Sequence, residues 1–369
     1  MFKKCAYLNL PEDKIERAGE KWPEPRPRLR KGGEPTLKDV ARLANVSLAT
    51  VSNVVNRKFG KMTEETRSAV EKAIADLNYR PMANARALRL ERRFIAGMLI
   101  VDPAAGFLTN PFIAQLVAGY SNELWASGYS CLLNGILPDR IETSTFVRYS
   151  QTDGLCVFQS GPLDARRNNL LRLSSLGEPV IAIEEPDLPE GDIATVRQDN
   201  FGAGVVLASE LLRRGAQRIT ILTPNWIWPA MQARIEGIGS VVAAHSPSMP
   251  VEIVRCGDGH ADEAELVISQ LLGTLAPQDG LIAGTDRILS GLDQSLSRIQ
   301  SWSQPLIAAF RGIDAMGSPR TDVFTIYQPA YELGAYAARK LMQRISHGTF
   351  LEIDTIIPLQ PNAARQLSS

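Results

Sequence analysis

The residue types that ordinarily carry reaction chemistry are few in this 369-residue chain and stand apart from one another. Its three histidines, His245, His260 and His347, lie in polar or loop settings with no evident catalytic partner. No Gly-x-Ser-x-Gly elbow, phosphate loop or dinucleotide glycine fingerprint opens a helix after a strand. The four cysteines, Cys5, Cys131, Cys156 and Cys256, form no metal-ligand pair at short spacing, and three sit in apolar runs as small hydrophobes do. Catalysis, a bound metal and a cofactor are therefore not expected. Short hydroxyl and amide side chains cluster between residues 36 and 56 instead: Thr36, Ser47, Thr50, Ser52, Asn53 and Asn56. Such groups cap helices and hydrogen-bond to phosphates or base edges.

Charge points the same way. The chain balances 40 Lys+Arg against 40 Asp+Glu, but residues 1–93 hold 21 basic and 12 acidic side chains, leaving 19 and 28 for the remainder. A basic quarter on an acidic body suits a polyanion-binding head that its own body does not neutralise. Hydrophobic content of 44% and charged content of 22% are ordinary for a globular protein. No apolar run reaches the ~18 residues of a membrane span. Pro11, Glu12 and Asp13 come too early for a secretory signal, so a reducing cytoplasm is the expected compartment.

The elements that must position these groups follow from pattern. Residues 1–34, rich in Pro and Gly with a basic cluster from Arg26 to Lys31, read as a poorly ordered arm. Residues 35–81 read as a compact head. Thr36 and Asp39 have capping-box spacing before the apolar positions Leu37, Val40, Ala41 and Ala44. Asn45-Val46 makes a tight turn, and Ser47 caps a second helix with Val51, Val54 and Val55 inward. A third helix starts at Thr63 and runs through Val70, Ile74 and Leu77 until Tyr79-Arg80-Pro81 interrupts it. Residues 82–93 form an Ala/Arg/Leu-rich linker with helical propensity.

From Phe94 onward strand-like runs alternate with amphipathic helices. The strands expected are Phe94–Val101, Ser130–Asn134, Gly154–Phe158, Val180–Ile183, Ile219–Leu222, Val251–Arg255, Leu281–Ala283 and Leu306–Phe310. Helices are expected between them, and Asn110-Pro111 marks one helix start by cap and first position. Alternation of this kind gives parallel sheets covered by helices, with ligands beyond the carboxyl ends of the strands.

The run from Thr36 to Asn56, TLKDVARLANVSLATVSNVVN, resembles the helix-turn-helix of the LacI/GalR (lac-repressor-like) family of transcriptional regulators. The resemblance continues through Asn78-Tyr79-Arg80-Pro81 and Ala85-Arg86-Ala87-Leu88. It then runs through Asn110-Pro111-Phe112, Asp153-Gly154, Asp199-Asn200, Arg234 with Gly237, Thr285-Asp286, Gln328-Pro329 and Arg365. It implies an all-α helix-turn-helix head, a hinge helix, and a two-lobed α/β sensor of periplasmic-binding-protein type with parallel sheets. The sensor would comprise residues 94–369, with one lobe formed by 94–196 and 328–353 and the other by 197–327 and 354–369.

The same resemblance implies roles. Leu48, Ala49 and Asn53 hold the base-reading positions; the first two offer only apolar contact, while Asn53 can pair bidentately with adenine. Thr36, Ser47, Thr50, Ser52 and Asn56 suit the DNA backbone or capping. Leu88 matches a minor-groove wedge, with Ala85 and Ala87 small enough for two hinge helices to approach and Arg86, Arg89, Arg92 and Arg93 near phosphates. Arg234 and Asp286 match effector contacts, Phe112 is placed as an apolar wall, and Trp226 or Trp228 is suited to stack on a sugar face. Structural roles for the same residues stand beside these: Leu48 and Phe112 as core, Asn53 as a plain exposed amide, the tryptophans as core or interface, and Asp286 as a helix cap.

Two departures from the family pattern stand out. Asn45 replaces a turn glycine, and Phe310-Arg311-Gly312-Ile313-Asp314 only loosely resembles a Gly-Phe-Asp-Asp segment, which puts the second lobe's local structure in doubt. With four residues after Arg365 there is no tetramerising heptad tail, so a homodimer is expected. The expected partners are double-stranded operator DNA and a small polar, sugar-like effector. An enzyme, a periplasmic solute receptor and an effector-independent regulator are the competing classes.

Overall fold

The head holds together around a few side chains brought in from three short helices. The computed structural model describes residues 35–60, 62–80, 92–102, 106–149, 151–225, 228–257, 261–298, 305–311 and 323–361, and divides the chain into a head unit and a body unit that meet at Ala85 and Arg86. In the head, α1 (Leu37–Leu43), α2 (Leu48–Val55) and α3 (Glu64–Asp76) enclose Val40, Ala41, Val51, Val54, Val70, Ala73 and Tyr79. Each helix begins on a cap. The Thr36 N–H and hydroxyl both donate to the Asp39 carboxylate, at 2.9 and 2.7 Å, Ser47 Oγ accepts the Thr50 N–H, and Thr63 Oγ1 accepts the Thr66 N–H. Asn45 adopts φ +52° in the turn, a conformation its short amide tolerates, so the missing glycine is accommodated.

The body is two lobes, each a six-stranded sheet clothed in helices. In the first, the order is β11-β5-β4-β3-β1-β2, from β1 (Ile95–Val101), β2 (Ser130–Ile136), β3 (Leu155–Gln159), β4 (Val180–Ile183), β5 (Ile193–Gln198) and β11 (Asp354–Ile357), all parallel. Its helices are α4 (Pro111–Ala126), the short α5 (Thr145–Arg148), α6 (Leu163–Ser174) and α11 (Ala330–His347). The second lobe has the order β12-β10-β9-β8-β6-β7, from β6 (Arg218–Thr223), β7 (Val251–Arg255), β8 (Asp279–Ala283), β9 (Leu306–Arg311), β10 (Phe324–Tyr327) and β12 (Gln360–Pro361), with only β12 antiparallel. It carries α7 (Asn200–Arg213), α8 (Pro229–His245), α9 (Ala261–Leu272) and α10 (Asp286–Ser297). Phe310 and Arg311 end the parallel strand β9, while Gly312, Ile313 and Asp314 lie outside the described residues.

One boundary expected from the sequence is corrected. Residues 354–357 do not join the second lobe: β11 pairs in parallel with β5 from Thr195 to Gln198, and Arg197 grips Asp354 through paired N–H···O contacts of 2.9 and 2.6 Å. Arg197 and Gln198 likewise belong to β5 and the first lobe. The chain thus crosses between lobes after β5, after β10 and after β11. The sequence reading also omitted β5, β10, β11 and β12, strands that all adjoin these crossings.

Each lobe relies on a close helix pair with glycine on both sides. A Cβ on Gly119 would meet the Tyr331 carbonyl and one on Gly334 the Leu116 carbonyl, which fixes the approach of α4 and α11. Gly204 and Gly237 do the same for α7 and α8, against the carbonyls of Arg234 and Phe201. Gly237→Ala is expected to force the two backbones apart and to cost about 1–3 kcal/mol. Thermal unfolding of the variant should show a midpoint several degrees lower; an unchanged midpoint would contradict the close-approach account.

Candidate functional site

The head presents two kinds of surface on one helix. Val51 and Val54 of α2 are buried, whereas Leu48, Ala49 and Asn53 are exposed, Leu48 to 44% of its surface. Leu48, like Leu43 of α1 at 52% exposure, is therefore outside the core. The hydroxyl and amide groups around it are largely engaged within the head. Ser47 and Thr50 share a hydroxyl–hydroxyl bond of 2.9 Å, the Asn56 Nδ2 donates to the Ser52 carbonyl at 2.6 Å, and the Thr36 hydroxyl is turned onto Asp39. Their capping role is thus direct. Lys38, Arg42, Arg57 and Lys58 are exposed cations of the same unit that the motif reading left out.

Ala85, Arg86 and Leu88, with Ala87 and Arg89, lie outside the described residues. Arg92 and Arg93 are described, and both make contacts within the body. Arg92 Nη2 donates to the Ile345 carbonyl at 2.8 Å, and the Arg93 guanidinium reaches the Thr152 carbonyl and Asp153, so both serve to seat the start of the body.

In the body, a cavity opens between the lobes at the carboxyl ends of the strands, where open α/β sheets bind ligands. Asp102 follows β1, Ser160 follows β3 and Glu184 follows β4; from the second lobe come Pro224 after β6, Thr285 and Asp286 after β8 and Gln328 after β10. Phe112, in the first turn of α4, lines the cavity and tilts against Phe158 at a centroid distance of 5.9 Å, so the expected wall and the core-packing alternative are both realised. Trp228 lines the cavity, while Trp226 lies outside the described residues. Asp286 is the first residue of α10 and also lines the cavity; the capping is done by Thr285, whose hydroxyl accepts the Ile288 N–H.

Arg234 is the fixed point of this floor. Its exposure is 3%, and its guanidinium donates to Asn200 Oδ1 at 2.8 Å, to the Gly284 carbonyl at 2.7 Å and to Gln328 Oε1 at 2.7 Å, with its carbon 4.1 Å from the centre of the Phe310 ring. Helix α8 begins at Pro229, so Arg234 lies in its second turn, beyond the reach of the helix-start dipole. Burial lowers its pKa to about 10, which leaves it charged at neutral pH.

The sequence reading missed four partners. Asn200 and Gln328 stand at two of the crossings, in the Asp199-Asn200 and Gln328-Pro329 pairs; the signal was present, but their role appears only once the crossings bring them to Arg234. Glu184 had no sequence signal at all. It adopts φ +59°, which turns its carboxyl into the cleft while the adjacent Glu185 pairs with Arg166 at 2.8 Å. Glu184 accepts hydrogen bonds from the Gln198 N–H at 3.1 Å and Asn200 Nδ2 at 2.9 Å, yet burial pushes its pKa up to about 8 against the pull of Arg234. Arg287 reaches across the cleft, its Nη2 donating to Thr109 Oγ1 of the first lobe at 3.1 Å. Among the described residues no group of His, Cys, Asp and Glu is placed to hold a metal, and no helix is long and apolar enough to cross a membrane.

A three-helix head with a sequence-facing surface, joined to a two-lobed α/β body with a polar cleft, is the architecture of a DNA-binding transcription regulator. The chain belongs to the LacI family of bacterial regulatory proteins: residues 36–82 match the family's DNA-binding domain, and residues 99–366 match the periplasmic binding proteins and sugar binding domain of the LacI family. It is 32% identical to the ribose operon repressor of Halalkalibacterium halodurans over 84% of this chain and 90% of that protein. The fold is shared with the lac repressor dimer bound to operator and the anti-inducer ONPF, at TM-score 0.72 and 19% identity over 89% of this chain and 98% of that one. It is shared too with a LacI family transcriptional regulator from Enterococcus faecium with bound ribose, at TM-score 0.60 and 24% identity over 72% and 96%.

Glu184 gives the body a pH dependence with a defined sign. Unfolded, it titrates near the ordinary 4.5, so between that value and about 8 the folded chain holds a proton that the unfolded chain has lost. Stability then falls as pH rises through this window, by up to about 1.4 kcal/mol per pH unit. Glu184→Gln removes the titrating proton and is expected to flatten the decline between pH 5 and pH 8. Denaturant unfolding of both proteins across that range checks this; parallel curves would show that the native carboxyl is ionised.

Proposed function

We propose that this chain is a transcriptional repressor that binds a near-palindromic operator as a homodimer and is controlled by a small sugar-like effector held in the interlobe cleft. The observation that carries the reading is the exposure of Leu48, Ala49 and Asn53 on the helix whose opposite side, Val51 and Val54, forms the head's core. A helix braced in this way delivers apolar contact to thymine methyls through Leu48 and Ala49 and a bidentate amide to adenine through Asn53. Thr36, Ser47, Thr50, Ser52 and Asn56 cap and stiffen the reading helix and set its approach to the phosphates. The exposed cations Lys38, Arg42, Arg57 and Lys58 supply the salt-dependent part of the affinity.

Leu88, flanked by Ala85 and Arg86, acts as the minor-groove wedge of a hinge that orders on DNA. In the body, Arg234, Asp286 and Phe112 hold the effector, with Trp228 on the sugar face and Trp226 in the same connection. The ribose operon repressor among the relatives, and the ribose bound to one protein of the same fold, support a sugar as the starting class. A change in lobe orientation on binding alters the spacing of two hinges in a dimer and so couples the cleft to DNA.

Footprinting on genomic fragments near the coding region tests the reading. Wild-type protein is expected to protect a short two-fold-symmetric site. Asn53→Ala should relax preference at one base pair in each half-site, with a loss of about 1–3 kcal/mol per half-site. Leu88→Ala should weaken protection without moving it. Salt-sensitive binding with no preferred site would overturn sequence reading by α2 and leave the head as an electrostatic anchor.

A further inference from the structure

Where the chain enters the body, at the far end of the first lobe from the cleft, its backbone is bent and clamped. Phe94 and Tyr129 immediately precede β1 and β2, and Asp153 stands two residues before β3, so the three gather at the amino ends of neighbouring parallel strands. The Asp153 carboxylate accepts two successive backbone N–H groups, that of Arg93 on Oδ1 and that of Phe94 on Oδ2, both at 2.8 Å. Its side chain is only 7% exposed, so these charge-assisted bonds are sheltered from water. The backbone of Asp153 is tied separately, its N–H donating to the Ile95 carbonyl at 2.8 Å. Replacing the side chain therefore frees the entering segment and leaves the contact between β1 and β3 in place.

Phe94 itself adopts φ +58°, a left-handed conformation that costs a bulky aromatic residue and that no side-chain hydrogen bond of its own can repay. The conformation is imposed from both sides. Asp153 fixes the Phe94 N–H, and the Ser130 N–H fixes its carbonyl at 2.9 Å, so the turn between them is determined, while the ring tilts against Tyr129 at a centroid distance of 5.4 Å. Strain held in this way marks a place where the surrounding structure requires one geometry. The two preceding side chains add to the hold: Arg92 reaches the Ile345 carbonyl at 2.8 Å and Arg93 the Thr152 carbonyl at 3.3 Å. Ile345 lies near the end of α11, an 18-residue helix about 27 Å long that starts just after Gln328, the partner of Arg234. One helix thus spans from the cleft floor to this joint.

We infer that Asp153 is a positioning residue for DNA binding, which sets the direction in which the chain leaves the body toward the head and so selects the spacing of the half-sites. This rests on the reading of the head as a DNA-binding unit that works in a dimer. Heads on slack connections reach half-sites at several spacings, whereas connections launched from a fixed point in a fixed direction restrict two heads to one. Asp153 acts through Arg93 and Phe94 and touches no DNA. The role needs a carboxylate, because both oxygens accept; an amide of the same size offers one acceptor and turns N–H groups toward the second donor.

The test uses a duplex selected by the full-length wild type from a random-sequence pool, the same duplex with one base pair inserted at its centre, and an unrelated duplex, all titrated at one salt concentration. Wild type is expected to prefer the selected spacing by about tenfold or more. Asp153→Ala should weaken binding at that spacing about tenfold, bring the preference within about threefold and leave affinity for the unrelated duplex unchanged. Asp153→Asn should fall between the two, and serves alone where the alanine variant does not fold. Hydrogen exchange without DNA follows the clamp itself. The Arg93 and Phe94 amides are expected to exchange about tenfold or more faster in either variant, while the Gly97 amide, bonded to the Gly154 carbonyl at 2.9 Å, keeps its protection. A spacing preference unchanged in both variants would overturn the positioning role and leave the head as a DNA reader. Loss of protection at Gly97 as well would make Asp153 a support of the sheet and overturn the role too. A wild type that selects no site would overturn both readings.

Discussion

The body is organised around the cost of burying one guanidinium. Arg234 cannot be deprotonated cheaply or left without acceptors in a low-dielectric interior, so three separate segments must converge on it: the start of α7 through Asn200, the turn after β8 through Gly284, and the crossing after β10 through Gln328. Two of these acceptors sit where the polypeptide passes between lobes. The floor of the cleft thus draws side chains from two of the three connections between the lobes. The glycine pair of α7 and α8 is part of the same requirement, because without that close approach Arg234 and Asn200 would not meet.

The head meets a different constraint. Among the described residues seven are buried in its core, with partly buried apolar side chains packed around them, and capped helix ends satisfy backbone donors locally. This accounts for the density of hydroxyl and amide side chains between Thr36 and Asn56. Several are engaged in capping α2, and the proposed base reading falls to the exposed Leu48, Ala49 and Asn53 of that helix. A leucine left on the surface of so small a unit raises the solvation cost of the free state, a cost that contact with another apolar surface removes.

Much of this was legible in the sequence. The three head helices, their caps and the turn at Asn45 follow from short-range pattern, and eight strands of the body were visible as apolar runs bounded by turn residues. What escaped was set by distant parts of the chain. Strands β10 and β11 are four residues long and adjoin the crossings, and β11 is fixed by Arg197 and Asp354 across 157 residues, whereas β5, with six mostly buried residues beside β4, carried a signal that was passed over. Glu184 was invisible because its role depends on one left-handed backbone dihedral and on burial, neither of which a glutamate in an ordinary Glu-Glu-Pro run announces. For Arg92 and Arg93 nothing in the sequence pointed to the carbonyls of Ile345 and Thr152 that they reach in the fold, because these lie far away along the chain.

The triple crossing between lobes also bears on how the protein is made. The first lobe needs α11 and β11 from near the end of the chain, and the second needs β10, so neither sheet is complete until the ribosome has delivered residues beyond about 350. The head, whose contacts all fall within residues 35–80, can form as soon as it emerges. During synthesis a finished DNA-reading head thus precedes a body that has no floor to its cleft. Under the proposed function, the part that binds DNA is therefore present in the nascent molecule before the part that senses the effector.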